Sequence, residues 1–233
     1  MSGTSFDGVD AALIETDGHY HIKFLDSVYV PYSKSERKFF MGSILKSFKD
    51  LTKVINNKHK IAIERLLKKT GFNANKIDLI GVHGQTFFHR PKEGWTWQYI
   101  SVEGLMKRFK TNFISDFRLN DINNGGEGAP LVPIFHAKIS KNFIDTFPLA
   151  ILNIGGVCNA TIIKRENSFQ GYDVGPGNGP LDALVYKKLK TEYDRDGDIA
   201  KYGKVDKNIS KKILIRISKL SKESSYDRKE LDE

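Results

Sequence analysis

Glycine-rich turns that adjoin short apolar runs constrain this sequence more than any other feature. The chain has 233 residues and 20 glycines, and many of the glycines fall in a few clusters. Three such segments are residues 2–10, 153–159 and 171–178. Glycine lets backbone N–H groups approach a phosphate closely, and a helix that begins at such a turn favours an anion. Each segment alone also fits an ordinary turn, so the three must be judged together.

The third segment adds a carboxylate to the pattern. Asp173 closes a short strand pattern and precedes Gly175, Gly177 and Asn178, where a helix is expected to begin. This placement suits a general base or a metal partner in a phosphate site, although a helix cap or an Asx turn would also explain it. Two separated glycine hairpins and such an aspartate are together what a phosphotransferase of the actin-like type requires.

The apolar periodicity predicts an α/β chain. Strand patterns lie at residues 9–16, 21–30, 77–83, 112–115, 149–154, 157–163 and 171–173. Helical patterns lie at about residues 35–48, 51–69, 102–109, 132–139, 178–189 and from 205 onward. Residues 91–97 and the glycine-rich segment 125–130 are expected to be loops.

The charge pattern narrows the choice of partners. The formal net charge is +9, and the excess lies in residues 33–76 and 201–233. Because the predicted helices there each have one apolar face, solvated lysines explain the charge better than a nucleic-acid or membrane patch.

The single cysteine, Cys158, excludes an intrachain disulfide. No apolar run reaches transmembrane length and no signal peptide is visible, so we expect a cytoplasmic protein without nucleic-acid or membrane partners.

Several short motifs follow one another along the chain. They are Gly3–Asp10; His83–Thr86 with His89–Pro91; Asp116–Arg118 with Asp121; Gly125–Pro133; Leu152–Gly156 with Asn159; Asp173–Asn178 with Asp182; and Tyr193–Gly197. In this order, over about residues 2–206, the chain resembles the bacterial anhydro-N-acetylmuramic acid kinases.

The resemblance implies an actin-like ATPase fold of the ribonuclease H-like kind, with two lobes. Residues 1–140 would form the first lobe and residues 141–233 a partial second lobe. The implied reaction uses ATP and Mg²⁺ to phosphorylate 1,6-anhydro-N-acetylmuramic acid and open its anhydro ring. The product would be N-acetylmuramic acid 6-phosphate, in the recycling of cell-wall murein. The family's habit also makes a homodimer an expectation.

The resemblance also implies roles for individual residues. The ATP phosphates would be held by Gly3, Thr4, Ser5, Phe6, Asp7, Gly8, Val9 and Asp10, and by a second turn at Gly155 and Gly156. Asp173 would be the catalytic base. Mg²⁺ would bind through the ATP phosphates, with Asp7 or Asp10 as a candidate ligand. The sugar site would be lined by His83, Gln85, Thr86, Asp116 and Arg118. His89 and His136 are expected to be structural.

Two features depart from the family pattern. The first turn begins at residue 2, with no apolar strand before it, and residues 205–233 resemble one Lys-rich helix in place of further second-lobe strands. The second lobe is therefore expected to be incomplete. Two interpretations stay open: a working amino-sugar kinase, and an inactive truncated remnant that acts at most as a binding or dimerising module.

Overall fold

The computed structural model describes residues 2, 6–19, 21–43, 48–90, 93–140, 146–165 and 168–219. The chain forms two compact units, Met1–Gly128 and Ala129–Glu233. Both contain helices and strands, so the α/β class is confirmed. The units divide twelve residues before the predicted lobe boundary, and the assignment of lobes stays a prediction. None of the described helices is long and apolar enough to cross a membrane.

The first unit contains six strands and four α-helices among its described residues. The strands are β1 (Gly8–Thr16), β2 (Ile22–Pro31), β3 (Leu79–Gly81), β4 (Gln85–Arg90), β5 (Trp95–Tyr99) and β6 (Asn112–Ile114). The helices are α1 (Lys34–Ser43), α2 (Phe48–Thr70), α3 (Val102–Phe109) and α4 (Phe117–Asn123). A 3₁₀ turn at Ala74–Lys76 joins α2 to β3.

The strands of the first unit form three pairs. β1 pairs with β2 and β4 pairs with β5, both antiparallel, whereas β3 and β6 are parallel. Ser2 adds an isolated parallel bridge to Gln85, at the start of β4. Because β3 and β6 are parallel, their carboxyl ends meet at one edge, which brings residues 82–84 and 115–116 to the same side.

The core of the first unit lies where α1 and α2 cover the β1–β2 hairpin. Val9, Phe40, Leu51 and Ile55 are at most 1% exposed. The Phe40 ring lies 4.8 Å from the Tyr32 ring in an edge-to-face arrangement. Burial of each such apolar side chain stabilises the fold by about 1.5–3 kcal/mol. This core fixes the start of β1, and with it the end of the first glycine-rich turn.

The second unit is built on three antiparallel strands: β7 (Leu149–Ile154), β8 (Val157–Arg165) and β9 (Ser168–Pro176), in that order. Helix α5 (Pro133–Ser140) packs on β8 and β9. Helix α6 (Gly179–Leu189) follows β9 directly, and α7 (Lys207–Lys219) comes after two 3₁₀ turns, Arg195–Gly197 and Ala200–Tyr202. The predicted tail beyond residue 219 lies outside the described residues.

The predictions of secondary structure were wrong or incomplete at several places, and strand β4 was not predicted. Residues 91–97 were expected to be a loop, but β5 begins at Trp95 and pairs with β4; the turn before it uses Gly94 at a φ of +74°. Helix α4 was not predicted, since its seven residues are too few for a clear helical period. The strand at residues 171–173 is longer than expected, because it pairs with β8 from Ser168 to Pro176.

Candidate active site

Two apolar side chains of the first glycine-rich segment, Phe6 and Val9, pack against the core of the first unit. Gly3, Thr4 and Ser5 lie outside the described residues. Phe6 has a φ of +52°, and its ring lies 5.5 Å from Phe40 in the core. Val9 is 1% exposed. The side chains of Phe6 and Val9 therefore attach residues 6–9 to the core, and contact with a phosphate would come from the backbone near them.

The structure leaves no room for a side chain at position 8, which is glycine. An added Cβ would lie 2.5 Å from the Tyr29 ring and 2.6 Å from the Val30 carbonyl oxygen. The Gly8 N–H donates a 2.9 Å hydrogen bond to Asp7 Oδ1, and the Asp7 carbonyl accepts one of 2.8 Å from the Tyr32 N–H. The lack of space at Gly8 and the hydrogen bonds of Asp7 therefore fix the position at which β1 begins.

Asp7 and Asp10 are the carboxylates of this turn that could hold a cation. Burial raises the pKa of Asp10, and the nearby charge of Asp7 raises it further. The described residues contain no group of three or more side chains suited to a metal. Mg²⁺ usually binds proteins through one or two carboxylates plus substrate phosphates, so this pair fits an ion carried by ATP.

His83 and Arg118 form a partly buried pair beyond the carboxyl ends of β3 and β6. Arg118 Nε donates a 2.7 Å hydrogen bond to His83 Nε2, so the His83 proton is on Nδ1, which lies 3.1 Å from the Gly84 carbonyl oxygen. Burial lowers the pKa of His83 to about 4, and the Arg118 charge contributes. His83 is therefore a neutral imidazole at pH 7, fixed in one tautomer.

Gln85 and Thr86 face the interior of the first unit. They are 0% and 3% exposed. The Ser2 hydroxyl hydrogen-bonds to Gln85 Oε1, and Gln85 Nε2 donates a 3.1 Å hydrogen bond to the Thr86 carbonyl. These contacts tie Ser2, next to the first turn, to β4.

Asp116 immediately precedes α4, whereas Arg118 lies in its first turn. It lines an open pocket of about 450 Å³ with Ile114, Ser115, Phe117, Leu119, Asn120 and Asn123. Asp116 has a left-handed backbone, with φ +63°, and its Oδ2 accepts a 2.8 Å hydrogen bond from the Ser115 hydroxyl. Of the predicted sugar-site residues, the structure pairs His83 with Arg118 but places Asp116 in this separate pocket.

The second glycine turn is joined to the start of α6. The Asn178 N–H donates a 2.7 Å hydrogen bond to the Gly155 carbonyl, and the N–H groups of Gly177 and Gly179 each donate one of 3.1 Å to the Gly156 carbonyl. An added Cβ on Gly177 would lie 2.1 Å from the Gly155 oxygen. The β7–β8 turn and the helix N-terminus are thus one structural element.

Asp173 stands in a row of polar side chains across the sheet. Asn159 on β8 is registered with Asn153 on β7 and with Asp173 on β9. Directly opposed residues share one face of a sheet, so the two amides and the carboxylate lie side by side. The register shifts beside Asp173: Cys158 pairs with Gly175, which leaves Val174 as an extra residue. Such bulges re-aim side chains next to active sites.

The next row on the same face is covered by α5. His136 Nδ1 lies 2.8 Å from the hydroxyl of Thr161, and an added Cβ on Gly171 would lie 2.2 Å from Pro133. His89 Nδ1 similarly lies 3.0 Å from the Thr96 hydroxyl. Both histidines thus hydrogen-bond to threonines of their own unit, which fits the structural role expected of them.

Sequence reasoning assigned no role to Asn153 or Asn159, although both belong to a quoted motif. Asn159 is two residues before the buried Thr161 on β8, and the two-residue period of a strand would have placed them on one face. What could not be read from the sequence is the bulge at Val174, which brings Asp173 rather than Val174 opposite Asn159.

Comparison with known proteins agrees with these motifs. Residues 1–217 match the family model of anhydro-N-acetylmuramic acid kinase. A protein of that name from Methylorubrum extorquens is 35% identical over 237 residues, which cover 92% of this chain and 63% of the relative. Its namesake from Zymomonas mobilis subsp. mobilis is 38% identical over 220 residues, with 88% and 60% covered.

The chain spans about three-fifths of the length of the curated relatives that it matches. A third relative of the same name, from Nitrobacter winogradskyi, is 36% identical over 219 residues and has 60% of its length covered. The match extends over nearly all of the described residues of both units. The chain therefore belongs to the anhydro-N-acetylmuramic acid kinase family.

Proposed function

We propose that this chain is an ATP-dependent kinase that phosphorylates 1,6-anhydro-N-acetylmuramic acid and opens its anhydro ring, giving N-acetylmuramic acid 6-phosphate. Murein recycling is the process in which this reaction would serve. The observation that carries the proposal is the position of Asp173, opposite Asn159 and beside a bulge, on the strand that leads into the Gly155–Gly156 and α6 element.

The actin-like fold is part of the proposal. Each unit contains an antiparallel hairpin next to a glycine-rich segment of the sequence: residues 2–7 before β1, and Gly155–Gly156 between β7 and β8. An actin-like ATPase needs two such phosphate turns, one from each lobe. The first unit would supply one turn and the sugar contacts, and the second unit would supply the other turn and the base.

The proposed reaction needs one base. Asp173 takes a proton from a water molecule, and the water oxygen forms a bond to the anomeric carbon of the sugar. The bond from that carbon to O6 breaks, and O6 attacks the γ-phosphorus of ATP. The bond from that phosphorus to the bridging oxygen breaks, and ADP leaves. Asp173 needs to remain ionised, which the neutral amide of Asn159 beside it favours over a further carboxylate.

The remaining groups stabilise charge and hold the sugar. The positive end of the α6 dipole favours phosphate oxygens, while the N–H groups of residues 177–179 are already bonded to the carbonyls of Gly155 and Gly156. Mg²⁺ would be held by Asp7 or Asp10 and would neutralise phosphate charge. The Arg118 guanidinium and the neutral His83 offer a cation and a fixed ring for the polar groups of the sugar.

The proposal is tested by identifying the product. The full chain is incubated with MgATP and 1,6-anhydro-N-acetylmuramic acid, and the mixture is followed by ³¹P NMR and mass spectrometry. We expect a phosphomonoester with the mass of N-acetylmuramic acid 6-phosphate, formed in step with ADP. A folded sample that forms ADP and inorganic phosphate without this ester, or no ADP at all, would refute the proposal.

A further inference from the structure

The Gly126–Gly128 turn is hydrogen-bonded to helix α4 through the backbone of both Gly126 and Gly128. Asp121 Oδ2 accepts a 2.8 Å hydrogen bond from the Gly128 N–H, and the Asp121 carbonyl accepts one of 2.9 Å from the Gly126 N–H. One turn of helix earlier, Arg118 NH1 donates a 2.8 Å hydrogen bond to the Gly128 carbonyl. The N–H and the C=O of Gly128 are therefore both held by side chains of α4.

The glycines of this turn leave room for the carboxylate. An added Cβ on Gly126 would lie 2.1 Å from Asp121 Oδ2, so a side chain there would displace the carboxylate. Gly128 has a φ of +67°, and its added Cβ would lie 3.0 Å from Ile122 and 3.1 Å from the Arg118 carbonyl. The sequence therefore allows the turn to close on Asp121 only because both positions are glycine.

Arg118 connects the turn to His83. The partly buried guanidinium spans from the Gly128 carbonyl to His83 Nε2, with donor distances of 2.8 and 2.7 Å. Burial lowers the pKa of Arg118. A long side chain in this environment keeps one orientation only if its acceptors are themselves fixed, and the Gly128 carbonyl is fixed by Asp121.

We propose that Asp121 is a positioning residue of the sugar site: it fixes the Gly126–Gly128 turn and thereby holds the Arg118 guanidinium against His83. The name sugar site rests on the function proposed above, whereas the positioning itself does not. Asp121 touches neither His83 nor a reacting atom. It acts through Gly128 and Arg118, which makes the arrangement of His83 the natural readout.

The test is long-range ¹H–¹⁵N NMR of the histidine side chains in the full chain, with His83 assigned through His83→Gln. In the unmodified protein we expect the Nδ1–H tautomer and a pKa of about 4 for His83. In Asp121→Ala the Arg118 contact should loosen, and the pKa of His83 should rise by the part of its shift that the Arg118 charge causes, while burial keeps it below 6.5. Asp121→Asn keeps an acceptor oxygen for the Gly128 N–H and should leave the His83 spectrum unchanged.

Two further variants separate positioning from general damage to α4. Gly126→Ala should reproduce the effect of Asp121→Ala, because its Cβ displaces the carboxylate without removing it. Asn124→Ala is the matched control: it removes only the 2.7 Å hydrogen bond from Asn124 Nδ2 to the Asn120 carbonyl, at the end of the same helix. It should leave the His83 signals unchanged.

The positioning role of Asp121 and the proposed kinase function can fail independently of each other. If His83 keeps its tautomer and pKa in folded Asp121→Ala and Gly126→Ala, the positioning role is refuted, whatever the kinase activity. If neither variant folds, an Nε2–H tautomer in the unmodified protein would refute it, whereas Nδ1–H together with a Gly128 amide shift that titrates with a carboxylate supports it. Where turnover is measured, Asp121→Ala should raise KM for the sugar by about tenfold and leave KM for ATP unchanged.

Discussion

The junction of the second glycine turn with α6 predicts a specific effect of Gly177→Ala. The new Cβ would lie 2.1 Å from the Gly155 carbonyl oxygen, and backbone cannot move aside as a flexible side chain can. The turn and the helix must therefore move apart, which breaks the three hydrogen bonds from residues 177–179 to the carbonyls of Gly155 and Gly156. At about 1 kcal/mol for each bond, the free energy of unfolding should fall by about 3 kcal/mol.

Calorimetry of the full chain checks this magnitude. A loss of about 3 kcal/mol corresponds to a fall in Tm of about 6–12 °C for a chain of this size. The matched control is Gly155→Ala in the same turn, whose Cβ would lie 3.4 Å from the nearest atom, the Val157 carbonyl oxygen, and should change Tm little. Amide exchange at Asn178 and Gly179 should also accelerate in Gly177→Ala. Equal melting temperatures for the two variants would refute the coupling of turn and helix.

Two further predictions concern pH. Burial lowers the pKa of His59 and of His83 to about 4, from 6.5 in the unfolded chain, so the unfolded state binds protons first and stability should fall as the pH drops from 6.5 to 4. The free energy of unfolding should fall by up to about 3 kcal/mol for each histidine. Urea titrations at several pH values should show that this free energy depends on pH about half as steeply in His59→Phe as in the unmodified protein. An unchanged slope would contradict this prediction. Asn159→Asp places a second carboxylate opposite Asp173 and should raise the pKa of Asp173, whereas Asn159→Ser should not. Carboxyl ¹³C NMR titration measures both, and equal values in the two variants would exclude the side-by-side row.

Much of the fold follows from local sequence patterns. The long helix α2 has its apolar residues at helical spacing, and Gly71 ends it with a φ of +74°, as expected. The β7–β8 hairpin was also predicted, because two apolar runs flank Gly155–Gly156. Local patterns failed at β5, where Pro91 and Gly94 suggested a loop although the strand is held by its pairing with β4.

The site could be predicted only in part. The motifs locate His83 and Arg118, but their contact joins residues 35 positions apart and depends on the parallel pairing of β3 with β6. Asp116 and Arg118 are two positions apart, yet Arg118 hydrogen-bonds to His83 whereas Asp116, just before α4, lines a pocket. The interaction of Asp121 with Gly128 is local, but it depends on side-chain geometry that no hydrophobic period encodes.

The central claim is that Asp173 is the base of a sugar kinase. The most direct measurement is sugar-dependent ADP release by the full chain with MgATP and 1,6-anhydro-N-acetylmuramic acid, compared between the unmodified protein, Asp173→Asn and the control Asp198→Asn. Asp198 is an exposed residue whose carboxylate is paired with Lys201. The account predicts release that requires the sugar, is lost in Asp173→Asn and persists in Asp198→Asn. Undiminished release by folded Asp173→Asn, or no release by the folded unmodified chain, would contradict it.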